Sequence, residues 1–301
     1  MIPALRSFGN LLLHLNKKRT PRREKNQQRN KRMKRNRQWS LYLCCAAALL
    51  LLAIAAAAGA GSTTFARNAT ANDPSHWKGH TWKLTDGGMA GVAKGNPANI
   101  IVDQNGYLHL RIINRGGTFT SSEMFSADKM GFGTYQWQIE GAVTNMDKST
   151  VLGLFSYGPQ AGIGANAENE IDIEFSQWNN TCSGCNADFT FWPTTGNQSL
   201  GPKEDNFKID LGGATLTTAR FEWSSTKIVG TIMSGLQPLG TTANVLQTLT
   251  FAPPDYTARI PQVPLPLGMN FWCFKVLPAS DQEVIIRDFQ YVPLPENPIA
   301  R

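Results

Sequence analysis

The sequence predicts an all-β domain, an antiparallel sandwich or barrel, preceded by an apolar segment that acts as a signal or anchor helix. Three observations predict it. From about Trp77 onward, short runs alternate apolar and polar residues with period two. Gly, Pro, Asn and Asp clusters separate those runs, and no amphipathic helical pattern lies between them. Residues 62–301 number 240, which suits one large all-β domain.

The amino-terminal segment is set apart by charge. Residues 1–40 carry 13 Lys and Arg against one acid, Glu24, a net charge of +12. The whole chain is +7, which leaves −5 for residues 41–301. The basic character therefore belongs to the leader, and the domain itself, mildly acidic, is not expected to bind nucleic acid. Residues 41–60 form an unbroken apolar run. Twenty helical residues at about 1.5 Å rise span roughly the 30 Å hydrocarbon core of a bilayer. The basic flank keeps the amino end in the cytoplasm and sends the rest outward. Two readings follow: a cleaved signal peptide with Ala58-Gly59-Ala60 as its small-x-small site, or an uncleaved anchor with residues 1–40 as a cytoplasmic tail. Either way the domain is expected to be secreted, periplasmic or membrane-anchored facing outside, touching a membrane only through residues 41–60. Residues 61–75 read as a linker and residues 76–301 as the domain, expected to be a monomer.

Strands are expected over residues 107–113, 134–140, 170–175, 219–223 and 283–291. The informative one is Glu170-Ile171-Asp172-Ile173-Glu174-Phe175. Side chains alternate faces along a strand, so Glu170, Asp172 and Glu174 share one face and Ile171, Ile173 and Phe175 the other. The apolar set suits burial between sheets. The acidic set reads either as a solvated face or as a functional one, since three like charges in a row repel each other. A retaining cleavage of a glycosidic bond uses two carboxyl groups about 5–5.5 Å apart. Residues four apart on a flat strand have Cα atoms roughly 13 Å apart. The strand must therefore curve, and the long Glu side chains must lean together. Asp172 between them raises the proton affinity of a neighbouring Glu.

Glu170-Ile171-Asp172-Ile173-Glu174 resembles the Glu-x-Asp-x-Glu signature of glycoside hydrolase family 16. Gly131-Phe132-Gly133-Thr134-Tyr135, Gly153-Leu154-Phe155-Ser156-Tyr157, Phe221-Glu222-Trp223 and Met269-Asn270-Phe271-Trp272 resemble the family's flanking strands in order, over roughly residues 76–292. The resemblance implies a jelly-roll, concanavalin A-like sandwich acting on a polysaccharide, with Glu170 as nucleophile, Asp172 as helper and Glu174 as acid/base. It also implies Glu123 as a substrate-binding group, and no cofactor for catalysis; Asn270 reads as a donor to substrate or nucleophile, or as a structural hydrogen bond. The signature carries no insertion between Asp172 and Glu174, which implies a β-glucan with β-1,3-1,4 or β-1,4 linkage. Two alternatives stay open: a cell-wall transglycosylase with the same trio, and a non-catalytic carbohydrate-binding protein. The sequence departs from the lichenase pattern at Phe125, where lichenases carry an Arg, and in residues 167–169, where an aromatic is missing. Gly106 and Asp288 fall where some members hold a structural Ca²⁺.

Trp178, Trp192 and Trp272 are candidates for stacking on sugar rings, with core filling as the competing reading. Trp77, Trp82, Trp137 and Trp223 read as structural. Cys182 and Cys185 have too few companions for a zinc site and are expected to form a local disulfide. Cys273 is left without an obvious partner, and Cys44 and Cys45 lie inside the apolar run.

Overall fold

The computed structural model describes residues 72–295. The basic segment 1–40, the apolar segment 41–60 with its two cysteines, and linker residues 61–71 lie outside them. Among the described residues no helix is long and apolar enough to cross a membrane.

In chain order the strands are β1 (His76–Trp77), β2 (His80–Leu84), β3 (Ile100–Val102) and β4 (Leu108–Arg115). Then come β5 (Thr118–Thr120), β6 (Ser122–Met130), β7 (Gly133–Glu140) and β8 (Thr150–Tyr157). These are followed by β9 (Glu170–Ser176), β10 (Ala187–Phe191), β11 (Lys203–Phe207) and β12 (Leu216–Trp223). The last are β13 (Ile228–Ser234), β14 (Val245–Phe251), β15 (Leu265–Cys273) and β16 (Gln282–Pro293). All five expected strands are present, with ends that differ from the expected ones by at most three residues.

The strands form two antiparallel sheets. One runs β1-β2-β6-β15-β8-β9-β10-β11; the other runs β14-β13-β12-β7-β16-β4-β3, with β5 paired to β4. The sandwich reading holds over the barrel. Alternation decides the packing. Ile171, Ile173 and Phe175 of β9 are fully buried between the sheets, together with Phe189 and Phe191 of β10 and Trp137 and Phe221 from the opposite sheet. Each such side chain contributes roughly 1.5–3 kcal/mol by leaving water. Trp77, Trp82, Trp137 and Trp223 all belong to this core, as expected.

Two glycines let large rings approach. A Cβ on Gly230 of β13 would sit 2.7 Å from a Phe189 ring carbon, so only glycine lets β10 settle onto the second sheet there. On β15, a Cβ on Gly268 would meet the rings of Phe155 and Phe125. The β6–β15 register also shifts between Pro266 and Gly268. Such a shift bends the strand and increases local twist.

Candidate active site

The outer face of the first sheet carries the polar halves of β6, β15, β8, β9, β10 and β11. Register places Glu123, Asn270, Gly153, Glu174, Asp188 and Asn206 in one row across six strands. The next row holds Phe125, Gly268, Phe155, Asp172, Thr190 and Glu204. Glu170 pairs with Tyr157, and its carbonyl accepts from the backbone N–H of Trp192. These rows floor an open cavity of about 830 Å³. Its volume lies in the usual range for a ligand site.

Glu170, Asp172 and Glu174 all line that cavity. Aromatic groups wall it at two places. Trp178, Trp272 and Phe274 meet edge to face, with Trp178 and Phe274 centroids 5.0 Å apart. Phe125, Phe155 and Tyr157 form a second cluster, with Phe125 stacked on Tyr157 at 6.3 Å. Phe125, where the lichenase pattern has a cation, is thus part of an apolar wall. The sequence-predicted Trp192, Asn270 and Glu123 also line the cavity.

The carboxyl groups differ in environment. Burial lifts Glu170 to about 7, partly offset by hydrogen bonding with Asp172. Burial, then the charges of Glu170, Glu174 and Asp188, pushes Asp172 well up. Glu174 is pushed well up by burial and then by Asp188, Glu170 and Glu204. Glu123 is raised by burial, against hydrogen bonds from Thr85 and Asn270. Thr85 Oγ1 donates to Glu123 Oε2 at 2.9 Å. No Lys, Arg or His is among the described residues lining the cavity. Carboxyls crowded in this way cannot all ionise together near neutral pH. Some hold a proton while others act as bases or nucleophiles, which is the requirement for paired acid/base chemistry.

Flanking loops steady the strand. Glu168, buried just before β9, accepts from the backbone N–H of Ala165 and of Gly196, each at 2.9 Å. Asn169 donates to Thr195 Oγ1 at 2.7 Å and to the Ile163 carbonyl at 3.1 Å. After β9, Cys182 and Cys185 are paired as a disulfide. Cys273 is a free, buried thiol.

The residues assigned to calcium are otherwise engaged. Asp288 Oδ1 lies 2.6 Å from Lys78 Nζ, and its other oxygen accepts from Gln290. The Gly106 carbonyl accepts from the Trp77 indole N–H at 2.9 Å. An ammonium already neutralises the carboxylate, so this pair does not fit a dication. No group of three or more His, Cys, Asp or Glu among the described residues is arranged to hold a metal.

Sequence reasoning passed over Asp188, Thr190 and Glu204. The available signal was the alternation in Ala187-Asp188-Phe189-Thr190-Phe191, with both Phe on the buried face and Asp and Thr on the other.

Fold and floor together define a β-sandwich with a carboxylate-floored, aromatic-walled cleft. No family model matches the chain, and no curated protein matches it in sequence. Among solved structures, it is similar to a Bacillus licheniformis β-glucanase, at 20% identity and a TM-score of 0.53 over 74% of this chain and 97% of that one. It is also similar to a prokaryotic β-1,3-1,4-glucanase (lichenase) from a mouse hindgut metagenome, at 19% identity and TM-score 0.52 over 74% and 98% of the two chains. A β-1,3-glucanase from Mycobacterium marinum gives 16% identity and TM-score 0.51 over 74% and 96%. At these identities the likeness shows a common fold.

Proposed function

We propose that the chain is a glycosidase that cleaves a neutral β-glucan internally, with retention of anomeric configuration. The observation that carries this is the row Glu170, Asp172 and Glu174 opening on one cavity between two aromatic walls. The fold shared with β-glucanases of known structure supports the same reading. So does the lining itself: among the described residues, six carboxyl groups and no cation repel an anionic polymer and tolerate a neutral one.

In this reading Glu170 is the nucleophile. Its carboxylate attacks the anomeric carbon while Glu174 gives its proton to the departing glycosidic oxygen. The C–O bond breaks and a glycosyl ester on Glu170 forms. Glu174, now a carboxylate, takes a proton from water, and the resulting attack on the anomeric carbon releases Glu170. Asp172 hydrogen-bonds Glu170 and shares the proton load of the row. Trp178, Trp192 and Trp272 offer faces to sugar rings, and Glu123 and Asn270 offer hydrogen bonds to hydroxyls. Aromatic groups at two places along the cavity suit a polymer bound through its interior, and a sugar hydroxyl could replace water as acceptor there. The disulfide supports an exported domain, since such bonds persist in oxidising compartments.

The test is a panel of lichenan, xyloglucan, laminarin, chitin and agar with product sizing and a labelled acceptor sugar. Hydrolysis of a neutral β-glucan, abolished in Glu170→Gln with polymer binding retained, is the expected result. Undiminished turnover in Glu170→Gln removes Glu170 from the mechanism. Transfer to the labelled sugar identifies the transglycosylase.

A further inference from the structure

Asp188 is a buried acid that the proposed mechanism does not use. It stands directly opposite Glu174 on the neighbouring antiparallel strand. Opposed residues on one face of such a pair have Cβ atoms roughly 4.5–5.5 Å apart. Asp188 is 2% exposed, yet no cation stands beside it among the described residues lining the cavity. Instead Trp178 Nε1 donates to its Oδ2 at 2.9 Å, and Thr190 Oγ1 donates to its Oδ1 at 3.1 Å. Two donors and no acceptor contact favour the ionised form and fix its direction.

We propose that Asp188 is a positioning residue that acts through Glu174, its negative charge, once ionised, keeping the proton on the acid/base carboxyl until a leaving group takes it. The inference rests on the glycosidase reading above for the role given to Glu174. Other acidic groups act on Glu174 from their own elements: Glu170 and Asp172 along β9 and Glu204 from β11, with Glu123 in the same row three strands away on β6, while β8 contributes Gly153 opposite and Tyr157 further along. Asp188 differs from these in being both directly opposed and doubly hydrogen-bonded. Burial carries Asp188 only to about 7, held down by Trp178 and Thr190, whereas Glu174 rises well above its usual range with Asp188 as its foremost charged neighbour. Two acids side by side, of which Asp188 gives up its proton first and Glu174 keeps its own longer, is the arrangement that separates acid and base roles. The same carboxylate pins the Trp178 indole, so the aromatic wall and the acid share one anchor.

A purely structural role, anchoring Trp178, makes a different prediction. Asp188→Asn retains an acceptor for Trp178 and can donate to Thr190 Oγ1, but it carries no charge. We expect the alkaline limb of the kcat/KM profile to move down by about one pH unit or more in Asp188→Asn, with polymer affinity preserved. An unmoved limb in a folded Asp188→Asn overturns the proposal. A second measurement needs neither the variant nor turnover. In the unmodified chain, side-chain carboxyl ¹³C signals of labelled Glu and Asp, assigned with Glu174→Gln, should show Glu174 titrating in two steps, one coincident with Asp188. A single step independent of Asp188 overturns the proposal. Coupled titration without hydrolysis of any glucan would instead defeat the glycosidase reading and leave the pair intact.

Discussion

Gly153 makes room for Asn270. The Gly153 backbone N–H donates to Asn270 Oδ1 at 3.1 Å, and a Cβ on Gly153 would overlap that same oxygen. Asn270 stands beside Glu123, its register partner on β6, and lowers that carboxyl's proton affinity. One absent methyl therefore aligns two polar groups of the cleft. Gly153→Ala should displace Asn270 and free Glu123. We expect kcat/KM to fall roughly 10–100-fold, with KM carrying most of the change. A thermal melt that drops little, beside kinetics that change greatly, checks the assignment.

The pH profile follows from the coupled carboxyls. Glu170 must be ionised to attack, and its value of about 7 places the acid limb of kcat/KM near neutrality. That limb reports the row as a whole. An acid limb below about pH 5 would show that the row does not hold its protons as described.

Stability should move the other way. Glu170 binds its proton more tightly folded than unfolded, because its folded value, about 7, exceeds the ordinary 4.5. Its contribution is therefore fully present below the unfolded value and is lost as pH rises toward the folded one. Glu170→Gln escapes that loss. The variant should match the parent near about pH 4 and exceed it by roughly 1–3 kcal/mol near about pH 8, read as a rise in Tm. An equal gain at both pH values would point to packing instead.

The Cys182–Cys185 disulfide closes the loop that follows Trp178. Ser176 Oγ accepts from the Trp178 backbone N–H, and Asp188 holds its indole. Reduction, or a Cys182→Ser and Cys185→Ser double variant, should loosen that wall and leave β9 untouched. We expect KM to rise roughly 3–10-fold with kcat little changed. A fall in kcat at constant KM would mean that the loop reaches the acids.

Lys78 makes calcium superfluous at Asp288. Adding calcium or a chelator should shift Tm by less than about 1 °C, since a ligand that binds neither state shifts nothing. A rise of several degrees with calcium would show a site outside the Lys78–Asp288 pair.

Much of the fold was legible in the sequence because it rests on a local rule. Period-two alternation assigned Ile171, Ile173 and Phe175 inward and Glu170, Asp172 and Glu174 outward. The pairing of Asp288 was not legible. Its partner, Lys78, lies on the connection between β1 and β2, and no spacing along the chain announces that pairing.

The sequence by itself determined which face each side chain of β9 would take and which residues would fill the core, since backbone pleat and hydrophobic burial act on neighbours along one strand. Only the tertiary structure decided what stands beside those acids: Asp188 from β10, Glu204 from β11, and a Phe125 wall from β6 where a cation was conceivable. Strand order and register bring these together across dozens of residues of sequence, and both depend on bulges, glycine contacts and inter-sheet packing that no short stretch of chain contains.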